Sequence, residues 1–196
     1  MSNVEAEVTA LSQRPQRADA RRNYEKLVSA AREAFTADGG SASLEDIARR
    51  AQVGIGTLYR HFPTRQHLLE AVYLDEVEAI CRSAADLAGL EPWDALVTWL
   101  RQFVGFAATK RALAQEMLGT IGSDAAVFRT CRVAISTAGD TLLEHAQASG
   151  DARVDASFID IGRLLGGIAS IDSDPEQIDR ILEIVIDGLR ARPAGS

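Results

Sequence analysis

This chain has little that would serve catalysis or metal chemistry. Its two cysteines, Cys81 and Cys131, form no Cys-x-x-Cys pair and have no histidine at ligand spacing. That pattern suits two buried, reduced thiols in a cytoplasmic protein rather than a disulfide framework, a zinc site or a redox pair. There are three histidines, and His145 is alone on its expected helix. No Ser/His/Asp arrangement, phosphate-cradling glycine loop or metal-ligand spacing rises above chance, so neither a catalytic site nor a cofactor is expected. Neighbouring acids such as Asp75 and Glu76 read as a solvated helix face. No apolar run approaches the roughly 18 residues of a membrane span. A basic-then-apolar leader is also missing, since Val4, Val8 and Leu11 are scattered among polar residues. Strand alternation, internal repeats and low-complexity segments are absent too.

What remains is the composition of a soluble globular protein, 46% hydrophobic and 25% charged over 196 residues, enough for one or two small domains. The net charge of −7 is unevenly spread. From Gln13 to Arg65 there are ten Lys/Arg against six Asp/Glu, hence +4; from Gln66 onward eleven against twenty, hence −9. A basic head on an acidic body fits an electrostatic footprint for nucleic acid confined to one end.

The apolar spacing predicts an all-α chain of about nine helices. Residues 1–20 read as a polar, flexible arm whose Arg14, Arg17, Arg21 and Arg22 either reach DNA or are simply solvated. Tyr24, Leu27, Val28, Ala31, Ala34 and Phe35 mark the inner face of a first helix, which Gly39 and Gly40 end. Ser43, three before Asp46, opens a second helix in the manner of a capping box, and as an N-cap it is also placed to meet a phosphate.

The stretch from Ile47 to Phe62 carries the most information. Ile47, Ala48 and Ala51 share one face of a short helix; Val53 lies in a turn; Leu58 and Phe62 are the buried side of a second short helix. Ile55, Gly56, Thr57, Tyr59, Arg60 and His61 are left pointing outward. A buried seam behind a small, hydroxyl- and base-rich face is what a helix needs to enter a DNA major groove.

In this stretch the chain resembles the TetR/AcrR family of bacterial transcriptional regulators. The likeness runs from about Tyr24 to Val72 and is densest in Val53-Gly54-Ile55-Gly56-Thr57-Leu58-Tyr59-Arg60-His61-Phe62-Pro63-Thr64-Arg65. Gln52 stands where the family usually has a turn glycine, and Gly54 where a serine often caps the recognition helix. The resemblance implies a helix-turn-helix DNA-binding domain over 21–66 and a ligand-binding and dimerisation domain over 67–196. It also implies a homodimer on a near-palindromic double-stranded operator, released by a small-molecule effector. It gives Thr57, Tyr59 and His61 DNA-contact roles and makes Arg65 a phosphate clamp. The residues themselves add Gly56, which leaves the backbone free to approach the groove, and Ile55, which either meets a thymine methyl or shields the turn. Arg60 is either a base reader or a solvated charge.

Pro63 stops the recognition helix, Thr64 caps a fourth helix running to about Leu87, and Gly89 and Pro92 break the pattern. Trp93, Trp99, Phe103, Phe106, Met117 and Phe128 make an aromatic-rich body that either lines an apolar effector pocket or fills the core. Lys110 and Arg111 are expected at a bend between two helices, and Gly119, Gly122 and Ser123 in a loop. A long helix then runs to about Ala148. The last two helices, within 155–189, are apolar enough to need more than one small core. The family likeness makes them the dimer interface, with Ile161, Leu165, Ile168, Ile178, Leu182, Val185 and Leu189 as its residues, though some must serve the chain's own core. Gly162 and Gly166 would let another helix approach closely. The competing reading is a helical small-molecule-binding protein or enzyme in which the helix-turn-helix is not the functional site.

Overall fold

The computed structural model describes residues 8, 14–38, 42–121, 126–171 and 174–191, with the backbone alone for 38, 111, 112, 114–121 and 126. Among these, the regular elements are eight α-helices, with one isolated bridge between Ala152 and Arg190. They are α1 (Ala18–Asp38), α2 (Leu44–Arg50), α3 (Ile55–His61), α4 (Arg65–Asp86), α5 (Pro92–Ile121), α6 (Ala126–Ala148), α7 (Phe158–Ile168) and α8 (Pro175–Leu189). None of them is long and apolar enough to cross a membrane.

Two departures from the expected pattern concern α5 and α7. No break occurs at Lys110–Arg111, and Gly119 lies within α5 rather than in a loop, so two expected helices are one of 30 residues. Lys and Arg are good helix formers, and a charged pair without Gly or Pro does not end a helix. Pro92 opens α5 at a position where its missing N–H costs nothing. In turn, α7 stops at Ile168, leaving Ile171 outside it. Gly39, Gly40, Gly122 and Ser123, expected in breaks, lie outside the described residues.

The chain divides into two compact units, residues 1–78 with 109–131, and residues 79–108 with 132–196. In the first, Tyr24, Leu27, Ala31 and Phe35 of α1 are buried with Ile47, Ala48, Leu58, Phe62, Leu68 and Val72. Tyr73 and Phe128 meet edge to face at 5.3 Å between ring centroids. The arm expected over 1–20 is partly tied down: α1 begins at Ala18, and Arg14 bonds Asp75 at 2.7 Å and Glu78 at 2.6 Å. Arg32 of α1 pairs with Asp75 and Glu76, so these acids of α4 form an ion-pair cluster rather than a solvated face. Burial raises the Glu76 carboxyl above its ordinary value, with Arg32 opposing the shift. Burial likewise pushes the nearby Tyr24 phenol up to about 12.

In the second unit, Trp99 is fully buried and its indole N–H donates to the Ile80 carbonyl at 2.9 Å. Its ring lies 5.4 Å from both Phe103 and Phe158. Phe158 also fixes the approach of α6: a Cβ on Gly139 would sit 2.5 Å from its ring, so only glycine fits there.

Candidate nucleic-acid interface

The site is built on two short helices whose ends are set by local chemistry. Ser43 caps α2, its hydroxyl accepting the amide of Asp46 at 3.0 Å, as the sequence pattern requires. The Asp46 carboxylate accepts from Arg49. At the other end, Gln52 adopts φ 55°, the left-handed conformation expected where the family has glycine. Its amide bonds the Arg49 carbonyl and that of Val53 bonds Ala48, which closes α2 in a Schellman motif. The closing of α6 follows the same pattern with Gly150 at φ 83°.

Gly54 then caps α3 by backbone alone, its carbonyl accepting from the amides of Thr57 and Leu58. Leu58 is completely buried and Phe62 nearly so, which fixes the rotation of α3. On the opposite face, Tyr59 is 45% and Ile55 39% exposed, and Gly56 and Arg60 are exposed as well. A Cβ on Gly56 would meet nothing within 4 Å. The chain's own packing therefore does not require glycine here, and its helix cost of roughly 0.5–1 kcal/mol is unexplained from within.

Three expected contact residues are engaged inside the protein. Thr57 is half-buried, and its hydroxyl accepts from Arg60 at 2.7 Å. His61 does not stand clear of the helix: it is half-buried, with its ring 6.3 Å from Tyr24 in an edge arrangement. Burial lowers its pKa, and the neighbouring Arg60 charge lowers it further. Arg65, half-buried at the start of α4, donates to the Ala42 carbonyl and lies over the Phe35 ring at 4.7 Å. It thus ties α1 and the approach to α2 to α4, whatever else it meets. Thr64 caps α4 through the amide of His67.

The aromatic residues proposed for an effector are all buried where described. Trp99, Phe103 and Phe106 form one ring cluster, and the Arg190 guanidinium covers Trp93 at 4.0 Å. Phe128 is not part of that cluster; it belongs to the first unit and packs on Tyr73. The Met117 side chain lies outside the described residues. A 360 Å³ cleft in the second unit opens between Gln147, Ala152, Val154 and Ala191, and none of these aromatics lines it.

The expected interface residues divide by exposure. Ile161, Leu165, Ile168, Leu182 and Leu189 are buried within the single chain, while Ile178 and Val185 are half-exposed. The exposed apolar side chains of the same helices are Ile159, Leu164 and Ile184, the last at 72%. Periodicity marks both faces of these helices as apolar but does not tell which residues the chain buries itself, so the expected span 155–189 takes in these three as well. Within the chain, Gly162 meets only the Phe158 ring and Gly166 meets nothing within 4 Å.

Comparison with known proteins agrees with this architecture along most of the chain. The family model described as bacterial regulatory proteins, tetR family, matches residues 27–72, and that described as transcriptional regulator SbtR-like, C-terminal domain, matches residues 91–191. The solved TetR transcriptional regulator SCO0520 from Streptomyces coelicolor is 39% identical, with a TM-score of 0.77 over 87% of this chain and 99% of its own. The HTH-type transcriptional regulator UidR of Escherichia coli is 27% identical over 159 residues, 76% of this chain and 81% of its own. The HTH-type transcriptional repressor KstR of Mycolicibacterium smegmatis is 36% identical over 93 residues, 45% of this chain and 46% of its own. The chain belongs to the TetR family of bacterial regulatory proteins and is a DNA-binding transcriptional regulator.

Proposed function

We propose that this regulator is a homodimeric repressor that holds a near-palindromic operator through α3 and leaves it when a small, mostly apolar effector binds. The observation that carries the reading is α3 itself, anchored from behind by Leu58 and Phe62 with Ile55, Gly56, Tyr59 and Arg60 exposed. The similar KstR is named a repressor, which favours repression over activation. Tyr59 donates its hydroxyl to a phosphate, and Ser43, at the N-terminus of α2, meets the backbone from a second helix. The Thr57 methyl and Ile55 suit thymine methyls. His61 and Arg65 act at the margin of the interface, since both are engaged within the protein. For the effector, the Trp93, Phe103 and Phe106 rings supply the apolar walls such sites use.

One recognition helix covers too few base pairs for useful specificity, so two must meet successive major grooves, roughly 34–36 Å apart or a multiple of that. The second copy docks on the outer faces of α7 and α8. Ile159, Gly162 and Gly166 share one face of α7 at helical spacing, and the open space over Gly166 suits close approach by another helix. The test is a salt titration on a short duplex. Affinity should fall with a log–log slope near −0.9 per neutralised phosphate, whereas a flat response between about 50 and 200 mM salt would overturn the proposal.

A further inference from the structure

We infer that Arg60 reads a guanine in the operator and that Thr57 is the positioning residue that holds its guanidinium ready. This rests on the DNA-binding reading above and adds to it the identity of one base. The Arg60 Nε donates to the Gly56 carbonyl at 3.3 Å, and Nη2 donates to the Thr57 hydroxyl at 2.7 Å. These two donors form one side edge of the guanidinium. The end edge, Nη1 with the second hydrogen of Nη2, has no partner among the described residues, and the side chain is exposed.

An end edge of two parallel N–H donors needs two acceptors side by side. In the major groove only guanine offers that, through O6 and N7. Adenine presents one acceptor beside a donor, thymine a single acceptor beside its methyl, and cytosine a donor. Charge points the same way. Arg21, Arg22 and Arg49 each pair with a carboxylate, Glu25, Asp19 and Asp46 respectively. Arg60 bonds only neutral acceptors among the described residues and so keeps its full charge for DNA. A flexible side chain already held on its helix also loses less freedom on reaching a base. Thr57, three residues before Arg60, is half-buried and so a firm support for that bond.

The experiment is selection of binding sites from randomised duplexes, followed by affinity measurements on the selected site with single base pairs exchanged. Wild-type protein should require a guanine at one position in each half-site, and exchanging it should cost roughly 5- to 150-fold in affinity. Arg60→Ala should lose that penalty while keeping the preferences at other positions. Thr57→Val should reduce the penalty when Arg60 is present and change nothing at that base in the Arg60→Ala background, and Thr57→Ser, which keeps the hydroxyl, should retain it. Circular dichroism on each variant separates loss of reading from loss of fold. Selected sites whose guanine penalties survive Arg60→Ala would overturn the inference and leave the DNA-binding reading standing. Equal effects of Thr57→Val in both backgrounds would overturn the role of Thr57. A wild-type protein that selects no sequence would overturn the DNA-binding reading and this inference together.

Discussion

A glutamine held at φ 55° stores conformational cost at the turn between α2 and α3. For a residue with a Cβ the left-handed region costs roughly 1–2 kcal/mol, against which glycine's greater chain entropy offsets roughly 0.5–1 kcal/mol. Gln52→Gly should therefore raise the unfolding free energy by about 1 kcal/mol, read in a denaturant titration, with operator affinity held. A loss of stability would mean that the Gln52 side chain contributes a contact outweighing the strain. His61 gives a second prediction at this scale. Burial and Arg60 place its folded pKa below the ordinary value of 6.5. The unfolded chain then takes up the proton first, so stability rises with pH across the window between the lowered value and 6.5. The penalty is complete below that window and absent above it. His61→Gln should flatten this part of the stability–pH profile, and an unchanged slope would show that the imidazole is not the group responsible.

At the scale of elements, the sequence specifies helices well and their partners poorly. The stripe from Tyr24 to Phe35 and the pair Leu58 and Phe62 are buried as their spacing requires, because a 3.6-residue period leaves one arrangement that hides them all. The caps at Ser43 and Gly54 were likewise readable from residue type. The charged pair Lys110–Arg111 suggests a break that α5 does not have, since charge is a signal of exposure and not of termination. Arg65 was readable as a basic residue beside the recognition helix, but not as one bonded to Ala42 and stacked on Phe35, which depends on chain segments distant in sequence. The same limit applies to α7 and α8, where Leu165 and Ile184 look equally apolar and face different surroundings. A paired substitution separates them. Leu165→Asp puts an unpaired charge where no part of the side chain reaches solvent, at a cost of several kcal/mol, and should unfold the protein. Ile184→Asp, on an exposed position, should change stability by less than about 0.5 kcal/mol yet shift sedimentation from dimer toward monomer. A dimer unaffected by Ile184→Asp would move the interface off this face of α8.

For the molecule as a whole, the question is how effector and operator sense one another. The first unit holds the DNA-reading helices and the second holds the Trp99 cluster. Helices α4, α5 and α6 each contribute residues to both units, so neither unit is independent of the other along the chain. Coupling is then a free energy, and it is reciprocal. An effector that favours the conformation unable to hold DNA by about 1–3 kcal/mol weakens operator binding roughly 5- to 150-fold, and the operator weakens the effector by the same factor. An effector with equal affinity for both conformations shifts nothing, however tightly it binds. The two tryptophans supply the readout. Trp99 is fully buried with its N–H on Ile80, and Trp93 lies beneath Arg190, so a rearrangement that breaks either contact changes the emission of that ring. A compound that raises the melting temperature in a thermal-shift screen of apolar molecules should change tryptophan emission on titration. The titration repeated with saturating operator should show the effector weakened by the factor by which it weakens DNA. Equal effector affinity with and without operator would show a stabilising ligand that is not the regulatory one.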